Sequence, residues 1–580
     1  MGKLKKVFGL VKKYGLRTTV QVVKTKLSQR PSAQKKKIQA LINSTMEEDK
    51  LEGERQHTFE YEPTISILVP LYNTEAGMLK SVIESVVNQT YSKWQLCLCD
   101  GGDGVDCEEY LSDSRIVYKK LPKNLGISGN TNACAELATG EYFGLLDHDD
   151  VLHPSALYSV VRELNVEKSD FVYTDEVTFK DRIDNILTAN FKPDFAPDAL
   201  RANNYICHFC VFTKKLFYEA GGFRSEYDGS QDHDLFLRMT GMTKHIKHIP
   251  EILYFWRAHD KSVVENIAVK QYAVDAGRNA VKDFLFSKGI DCEVNSTDVY
   301  PTIYRISYKI QQTDRISIII PNRNNCEVLK RCVNSIFESS YDNFEIIIIE
   351  NNSDETALFE YYEEIKDNPK IKVVTHNIDF NYSKLNNLGA KEATGEYLLF
   401  LNNDTQVINN SWLEEMLMFA QRDDVGAVGA RLFYPNNTLQ HSFLITGIGE
   451  HGIAVHAGLG LAADDYGYLD RLGFNQNVNA VTGACLMVET NKFHKVGGFD
   501  ENLPVAYNDV DFCLKLRKEE LLNVYTPFAT LYHYESLTRG EDTDEALEKA
   551  AHYMKEKWGN ALIDPYYNSN FSTEKQYVLK

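Results

Sequence analysis

Closely spaced carboxylates after an apolar stretch are the first residues in this sequence whose types and spacing could do chemistry. The run Asp147-His-Asp-Asp150 directly follows a stretch that ends at Leu146. Like charges repel, so such a cluster is costly unless a hard divalent cation, which prefers oxygen ligands, neutralises it. Capping of a following helix accounts for one Asp but not for three. The cluster therefore predicts a Mg²⁺ or Mn²⁺ site with positions left for phosphate oxygens.

A second acidic pattern opens two later helical stretches, each of which begins with Asp-x-Asp after a turn. These residues are Asp232 and Asp234 in the first stretch and Asp509 and Asp511 in the second. A lone Asp at such a place is usually a helix cap. His259 follows Asp232 by 27 residues, and His533 follows Asp509 by 24. A His after an aromatic strand is most often structural, but its return at nearly the same distance makes it a candidate metal ligand.

The elements that must position these residues occur twice along the chain. Ile65-Ser-Ile-Leu-Val-Pro70 returns as Ile316-Ser-Ile-Ile-Ile-Pro321 at an offset of 251 residues, and Ala-Thr-Gly-Glu-Tyr at 138–142 returns at 393–397. Gly-Gly-Phe at 221–223 returns at 497–499, at an offset of 276. A period this long excludes a solenoid and indicates a duplicated domain.

Each copy alternates apolar strands with helical stretches, which predicts an α/β fold with a mostly parallel sheet. In the first copy the strands begin near Ile65, Trp94 and Tyr142, and polar residues follow each of them. Ligands of open α/β sheets bind beyond the carboxyl ends of the strands. We therefore expect Asn73, Asp100 and the cluster at 147–150 to gather at one edge.

The motifs resemble family 2 glycosyltransferases of the GT-A fold. The first half carries the resemblance in Pro70-x-Tyr-Asn, the strand end at Asp100, Gly-Ile-Ser-Gly-Asn-Thr-Asn at 126–132 and the acidic motifs. The second half resembles the rhamnosyl- or galactofuranosyl-transferring branch. It does so in Ile349-Glu-Asn-Asn-Ser, Phe400-Leu-Asn-Asn-Asp, Gln440-His, Thr482-Gly-Ala-Cys and His533-Tyr-Glu-Ser. Together the matches span about residues 64–559.

The resemblance implies two tandem GT-A domains, Rossmann-like with mostly parallel sheets, after a basic helical arm. The expected borders are 1–60 for the arm, 61–300 and 312–565 for the domains, and 566–580 for a tail. It also implies inverting, metal-dependent transfer of hexosyl groups from UDP- or dTDP-sugars, with one Mn²⁺ or Mg²⁺ per domain. The acceptor would be a growing, lipid-linked bacterial surface glycan such as O-antigen, capsule or cell-wall polysaccharide.

The resemblance carries roles over to particular residues. The bases that accept the proton of the acceptor hydroxyl would be Asp232 and Asp509. Donor contacts would come from Pro70, Tyr72, Asn73, Asp100, Asn132, Asp147, Pro321, Asn324, Glu350, Asn387 and Asn402. Metal ligands would be Asp149, His259, Asp404 and His533, and acceptor contacts Asp234, Thr482, Gly483, Asp511 and Arg539. The sequence departs from the family pattern at Gln231, Asn508, Glu350 and Asn402, which points to a different donor nucleotide or a weaker site.

Charge and composition indicate where in the cell the chain is expected to act. The net charge of −19 argues against nucleic-acid binding, yet residues 1–46 carry twelve Lys or Arg and no acidic residue. Such a segment either lies on an anionic inner leaflet, is a solvated arm, or forms a helix packed on the protein body. No apolar run approaches the length of a spanning helix, and no secretory signal follows the basic start. The chain is expected to be cytoplasmic and peripheral on the inner face of the membrane.

Three functional hypotheses remain open on sequence grounds. Both copies transfer sugars, or one copy is catalytic and the other binds the acceptor or serves as a scaffold, which Asn402 in the second copy favours. A nucleotidyltransferase would need a Gly-rich loop and a Lys after the first strand, which Pro70-Leu-Tyr-Asn-Thr-Glu does not supply.

The pair Cys207 and Cys210 has no second pair to complete a zinc site, and the sequence therefore predicts buried free thiols.

Overall fold

The computed structural model describes residues 31–258, 271–311, 313–534 and 544–580, and these form two compact units. The first unit comprises the described residues up to Phe195, residues 204–284 and residues 568–580. The second comprises residues 196–203 and the described residues of 285–567. Each unit thus contains a short segment from the other half of the sequence, and most of the stretch expected as a tail is part of the first unit.

The first half of the chain alternates strands and helices, as its apolar pattern predicts. Its strands are β1 Ile65–Leu71, β2 Trp94–Asp100, β3 Ile116–Lys120, β4 Tyr142–Leu145, β5 Val151–Leu152, β6 Phe171–Phe179, β7 Ile186–Asn190, β8 Cys210–Thr213 and β9 Ile246–Arg257. Its helices are α1 Pro31–Thr45, α2 Glu48–Gln56, α3 Ala76–Val87, α4 Gly126–Leu137, α5 Ala156–Val166, α6 Pro197–Ala202, α7 Lys214–Glu219, α8 Gln231–Thr240 and α9 Gln271–Ser287. Helix α6 belongs to the second unit.

One nine-stranded sheet organises the first unit, in the order β3-β2-β1-β4-β8-β6-β9-β5, with β7 on β6. The first four strands are parallel, and β8 joins both β4 and β6 in antiparallel fashion. Every residue of β1 is buried, as expected for a central parallel strand covered on both faces. The carboxyl ends of β1, β2 and β4 lie at one edge, where the sequence predicts the ligand site.

The second half repeats this architecture. Its strands are β10 Cys292–Ser296, β11 Tyr304–Tyr308, β12 Ile316–Asn322, β13 Phe344–Glu350, β14 Ile371–Thr375, β15 Tyr397–Leu401, β16 Thr405–Val407, β17 Val425–Phe433, β18 Leu439–His441, β19 Leu444–Thr446, β20 Ala454–His456, β21 Gln476–Val478, β22 Cys485–Glu489 and β23 Leu522–His533. Its helices are α10 Cys326–Ile336, α11 Thr356–Ile365, α12 Tyr382–Glu392, α13 Trp412–Ala420, α14 Thr490–Lys495, α15 Asn508–Lys518 and α16 Asp544–Trp558.

The ten-stranded sheet of the second unit has the same strand order as the first. It runs β14-β13-β12-β15-β22-β17-β23-β16, with β18 on β17 and β21 on β23. Two small hairpins, β10-β11 and β19-β20, stand outside it. The α/β class and the tandem layout predicted from the repeat are thereby confirmed, with each sheet parallel through its first four strands and mixed beyond.

Within the basic segment 1–46, residues 31–45 form the helix α1, which packs against β7 of the first unit. Its apolar residues Ile38 and Ile42 are buried there, and Lys37 Nζ donates to the Leu579 carbonyl oxygen at 2.6 Å. Of the three readings of the arm, packing on the protein body therefore applies to residues 31–45. Within the described ranges, the helices are all too short or too polar to cross a bilayer.

Candidate active sites

The acidic cluster of the first unit is anchored by its last member. Asp150 is fully buried between β4 and β9, where Tyr254 Oη donates to one carboxylate oxygen at 2.5 Å and the Arg257 backbone N–H to the other at 2.7 Å. Burial, and then the charges of Asp147 and Asp149, raise the pKa of Asp150 well above its usual range. Because both of its oxygens are engaged, Asp150 holds the cluster at the sheet edge.

Asp147 faces a histidine that the sequence motifs did not single out. Ligand atoms of Asp147, Asp150 and His208 lie within 4.8 Å of one another, which is compatible with a shared cation. Burial raises the pKa of Asp147, and the nearby charge of His208 opposes this shift. His208 precedes β8, the strand beside β4, so only the strand order brings it to the cluster. The Cys-His-Phe-Cys pattern around it predicts buried free thiols and gives no sign of a role for the histidine.

A buried ion pair supports the backbone around His208. Lys192 Nζ contacts Glu176 Oε2 at 3.1 Å, and both side chains are almost wholly buried. Lys192 also donates to the carbonyl oxygens of Ile206 and His208, and Glu176 accepts from the His208 N–H. The His208 ring stacks on Tyr254 with centroids 4.8 Å apart. Lys192 and Glu176 therefore fix the backbone at His208, and the stacking on Tyr254 fixes its ring.

The predicted metal ligand Asp149 is held through its backbone, since its carbonyl oxygen accepts from Arg257 Nε at 2.7 Å. His148 beside it contacts Thr74 Oγ1 at 3.1 Å. The predicted partner His259 lies outside the described residues. The metal set Asp149 and His259 therefore stays a prediction, to which the structure adds His208 and Asp147 as neighbouring candidates.

The predicted base Asp232 is the second residue of α8. Burial, and then the charge of Asp147, raise its pKa to about 6. Gln231, where the family pattern has Glu, accepts from the Gly229 N–H at 2.9 Å and so holds the turn before the helix. In the second unit Asn508 has the same role, donating to the Val505 carbonyl oxygen at 2.9 Å. The two departures from the family pattern thus shape turns.

The second Asp of each Asp-x-Asp pair is buried and bonded to side chains of its own unit. Asp234 has no exposed surface, and both of its oxygens are paired with Arg224 and Arg238. Asp511 is equally buried and accepts from Trp558 Nε1 at 2.8 Å, with Lys557 at 2.7 Å. These partners fix the start of each helix. The expected acceptor contacts at Asp234 and Asp511 stay predictions.

The carboxylate of Asp100, at the end of β2, is buried and held by hydrogen bonds. Asp100 is fully buried, accepts from the Gly102 N–H at 2.7 Å and from Tyr118 Oη at 3.1 Å. Asn73 has φ +48°, and a Cβ on Gly102 would lie 2.6 Å from the Asn73 backbone nitrogen, so the two loops touch. Tyr72 is half exposed, whereas Pro70 is buried in β1. Donor contacts at these residues remain predictions.

In the second unit Glu350 occupies the corresponding strand end. It is 2% exposed, accepts from the Ser353 N–H at 2.8 Å and from Tyr362 Oη at 2.7 Å. Asn324 Oδ1 accepts from the backbone N–H groups of Asp354 and Glu355 at the start of α11, so this side chain is engaged within the loop. Pro321 lies within β12 and is partly buried. The donor role of Glu350 stays a prediction.

Asn132 and Asn387 are equivalent residues with one structural task. Asn132 bonds both the N–H and the C=O of Phe223, at 3.0 and 2.9 Å, and Asn387 bonds those of Phe499, at 2.9 and 3.0 Å. They tie α4 and α12 to the Gly-Gly-Phe turns. These bonds give both residues a role in the fold, and the expected donor contacts at Asn132 and Asn387 stay predictions.

The metal pair predicted for the second unit comes together. His533 Nε2 lies 3.2 Å from Asp404 Oδ1 and 3.3 Å from Asn402 Nδ2, and β16 pairs with β23 at Thr405 and His533. Asp404 Oδ1 is buried without a hydrogen-bond donor among the described residues. A buried carboxylate oxygen without a donor, next to an imidazole nitrogen, fits a divalent cation.

The predicted base of this unit, Asp509, is the second residue of α15. The Gly483 N–H donates to its Oδ2 at 3.0 Å and the Val510 N–H to its Oδ1 at 2.8 Å. Thr482 and Gly483, expected near the acceptor, thus border the base directly. Arg539 lies outside the described residues, so its expected contact stays a prediction.

Comparison with known proteins places these sites in a family. The sequence profile described as "Glycosyl transferase family 2" matches residues 66–220 and 317–493, which is more than half of the chain. "Uncharacterized protein y4gI" of Sinorhizobium fredii is 38% identical over 541 residues, which cover 89% of this chain and 58% of that protein. "O-antigen biosynthesis protein RfbC" of Myxococcus xanthus is 32% identical over 526 residues, which cover 88% of this chain and 40% of the relative.

This chain therefore spans about half the length of these two relatives. Among solved structures, the crystal structure of GalNAc-T7 with UDP, GalNAc and Mn2+ aligns at a TM-score of 0.36 and 17% identity. That alignment covers 42% of this chain and 49% of the other, a likeness too low for inference about the site.

Proposed function

The chain belongs to glycosyl transferase family 2, and from this premise we propose that each of its two units transfers a sugar from a nucleotide-diphosphate donor to a glycan acceptor. One observation carries the proposal: both units place an acidic strand end and a helix-borne Asp in the same sheet order. Asp232 and Asp509 are each the second residue of their helix. The product class we propose is a bacterial surface polysaccharide, in line with the relative described as an O-antigen biosynthesis protein.

The proposed reaction is a direct displacement at the anomeric carbon, which inverts its configuration. The base accepts the proton of the acceptor hydroxyl as that oxygen forms the new glycosidic bond, and the nucleoside diphosphate leaves. In the first unit the pKa of Asp232, raised to about 6 by burial and by Asp147, leaves it ionised at neutral pH and still a competent proton acceptor. In the second unit two backbone N–H groups orient Asp509.

We propose one divalent cation per unit. In the second unit Asp404 and His533 would hold it, and in the first unit Asp149 and His259. Asp147, Asp150 and His208, whose ligand atoms lie within 4.8 Å of one another, are further candidates in the first unit. A bound Mn²⁺ or Mg²⁺ would neutralise the charge that develops on the diphosphate. Asp404 and His533 are both largely buried, so the protein would shield a cation bound there from solvent.

A second candidate function is a single catalytic unit with a second, non-catalytic unit that binds the acceptor. Asn402 favours it, because the second unit has an amide where the first has Asp147, and so carries less negative charge. The same experiment separates the two functions.

The test is turnover of a panel of UDP-, dTDP- and GDP-sugars by the full chain, with lipid-linked and free glycan acceptors, in Mn²⁺, Mg²⁺ and EDTA. We expect Asp232→Asn and Asp509→Asn each to abolish a different transfer. The exposed residues Asp184 and Asp342 supply matched controls as Asp184→Asn and Asp342→Asn. If Asp509→Asn leaves every transfer intact, the second unit is a binding module. Full turnover in EDTA would refute the assigned metal sites.

Location is proposed from the basic segment alone. Residues 1–30 carry nine Lys or Arg and no acidic residue, and each such residue near an anionic leaflet contributes about 1 kcal/mol. Helix α1 uses its apolar residues on the first unit, so residues 1–30 would make any contact with lipid. We propose peripheral association with an anionic membrane surface through this segment.

A further inference from the structure

Two histidines of the second unit lie beside the loop that borders Asp509. His441 ends β18 and is fully buried, and His456 ends β20. Their Nδ1 atoms are 2.8 Å apart, with ring planes at 79°. Two imidazole nitrogens at this distance share one proton, so one ring donates and the other accepts.

The backbone of Thr482 fixes which ring is the donor. Its N–H points at His441 Nε2 with an N···N distance of 3.4 Å, and a backbone N–H can only donate. His441 Nε2 is therefore unprotonated. Burial, and then the charges of His456 and His533, lower the pKa of His441 well below its usual range, so the ring is neutral and carries its proton on Nδ1. It follows that His441 Nδ1–H donates to His456 Nδ1.

The histidine pair is linked to Asp509 through the backbone of Thr482 and Gly483. While the Thr482 N–H is bound by His441, the next N–H, that of Gly483, donates to Asp509 Oδ2 at 3.0 Å. The Gly483 carbonyl oxygen accepts from Tyr382 Oη at 2.7 Å, which fixes the other side of the same segment. A change in the His441 tautomer would turn an N–H toward the Thr482 N–H, and the two donors would repel each other. The loop, and with it the amide that orients Asp509, would move.

We propose that His441 and His456 form an imidazole pair that positions the base of the second unit, with His441 acting on Asp509 through Thr482 and Gly483. The role of His456 is to accept the Nδ1 proton and so to hold His441 in the one tautomer that binds the loop. Both are positioning residues. The inference rests on the proposed transferase function of this unit.

The activity test uses the full chain with two substitutions at one position. His456→Asn keeps an acceptor oxygen near the place of Nδ1, whereas His456→Leu keeps the approximate volume without an acceptor. We expect His456→Leu to lower kcat of the transfer assigned to the second unit about tenfold, the scale of a slightly displaced catalytic group, with the donor KM unchanged. His456→Asn should retain activity close to that of the wild type. Transfer by the first unit, on the same chain, is the control for the amount of enzyme.

Equal losses in His456→Leu and His456→Asn would overturn the inference, because a merely structural role does not distinguish them. Full activity of His456→Leu would overturn it as well. Long-range ¹H–¹⁵N spectra of ¹⁵N-histidine-labelled chain, assigned by comparison with His441→Gln, test the pair without any turnover. We expect the Nδ1–H tautomer of His441 in the wild type and its loss in His456→Leu. An Nε2–H tautomer in the wild type would overturn the inference, whereas the absence of any second-unit transfer with a correct tautomer would refute the proposed function alone.

Discussion

Asn568, near the end of the chain, is predicted to be a main support of the first unit. It is 4% exposed, and its Nδ2 donates to Asp175 Oδ2 at 2.8 Å and to the Lys192 carbonyl oxygen at 2.9 Å. Asp175 also accepts from the Lys192 N–H and contacts His248 Nε2, each at 2.9 Å. Asn568→Ala would leave the Oδ2 atom of this buried carboxylate with only Asn570, at 3.4 Å.

The magnitude follows from these two bonds. Loss of a hydrogen bond to a charged group costs about 1.5–3 kcal/mol, and loss of a neutral one about 0.5–1.5 kcal/mol. A combined cost of about 3 kcal/mol would lower the melting temperature of a unit this large by roughly 6–12 °C. Asn568→Asp should cost more, since it sets a second carboxylate against Asp175.

The assay is chemical and thermal denaturation of the full chain, together with hydrogen exchange. Peptides from β6, which carries Asp175, should exchange faster in Asn568→Ala, whereas peptides from β17 in the second unit serve as the internal reference. The matched control is Asn560→Ala, an exposed Asn eight residues earlier. If Asn568→Ala and Asn560→Ala melt and exchange alike, the reasoning from buried hydrogen bonds is refuted.

Three further outcomes are expected. Burial lowers the pKa of His248, but the neighbouring Asp175 and Asp194 outweigh this effect and raise the pKa overall. The protonated ring therefore stabilises the folded state below the unfolded pKa of about 6.5. This stabilisation is lost as the pH rises through the pKa of the folded state. The urea midpoint of the first unit should therefore fall with rising pH in the wild type and respond less in His248→Gln. Asn132→Ala and Asn387→Ala should each destabilise their own unit by about 2 kcal/mol, since each loses two hydrogen bonds, and equal exchange protection in variant and wild type would contradict this. Deletion of residues 1–30 should abolish flotation with anionic liposomes at low salt, and undiminished flotation would refute the membrane proposal.

The internal repeat made the architecture predictable. Matching offsets of the strand and turn motifs implied two copies of one sheet, and both sheets have the same strand order. The repeated Ala-Thr-Gly-Glu-Tyr marks a fold contact: Thr139 N–H and Oγ1 donate to Gln95 Oε1 at 2.8 and 3.0 Å, and Thr394 donates in the same way to Glu345. The partner on the neighbouring strand differs in type between the copies, so the sequence could show the repeat but not this contact.

The site was predictable only where its residues follow strand ends or helix starts. His208 was missed because the strand order, and no local pattern, brings the segment before β8 to the end of β4. The anchoring contacts of Asp234 and Asp511 could not be predicted for the same reason, because their partners, Arg224 and Trp558 among them, come from other segments.

The strand ends at Asp100 and Glu350 bear on whether both units are active. The carboxylate in each unit accepts a hydrogen bond from a tyrosine hydroxyl. In the first unit this is Tyr118 of β3, and in the second unit it is Tyr362 of α11. In both units a buried carboxylate is bonded to a tyrosine hydroxyl and to a backbone N–H of the following loop. The tyrosine, however, comes from a different element in each unit. A buried, oriented carboxylate at this strand end in both units, together with the contact between Asp404 and His533, supports the proposal that both units transfer a sugar. Because the Glu350 side chain is one methylene longer than that of Asp100, we propose that the two units bind different donor nucleotides.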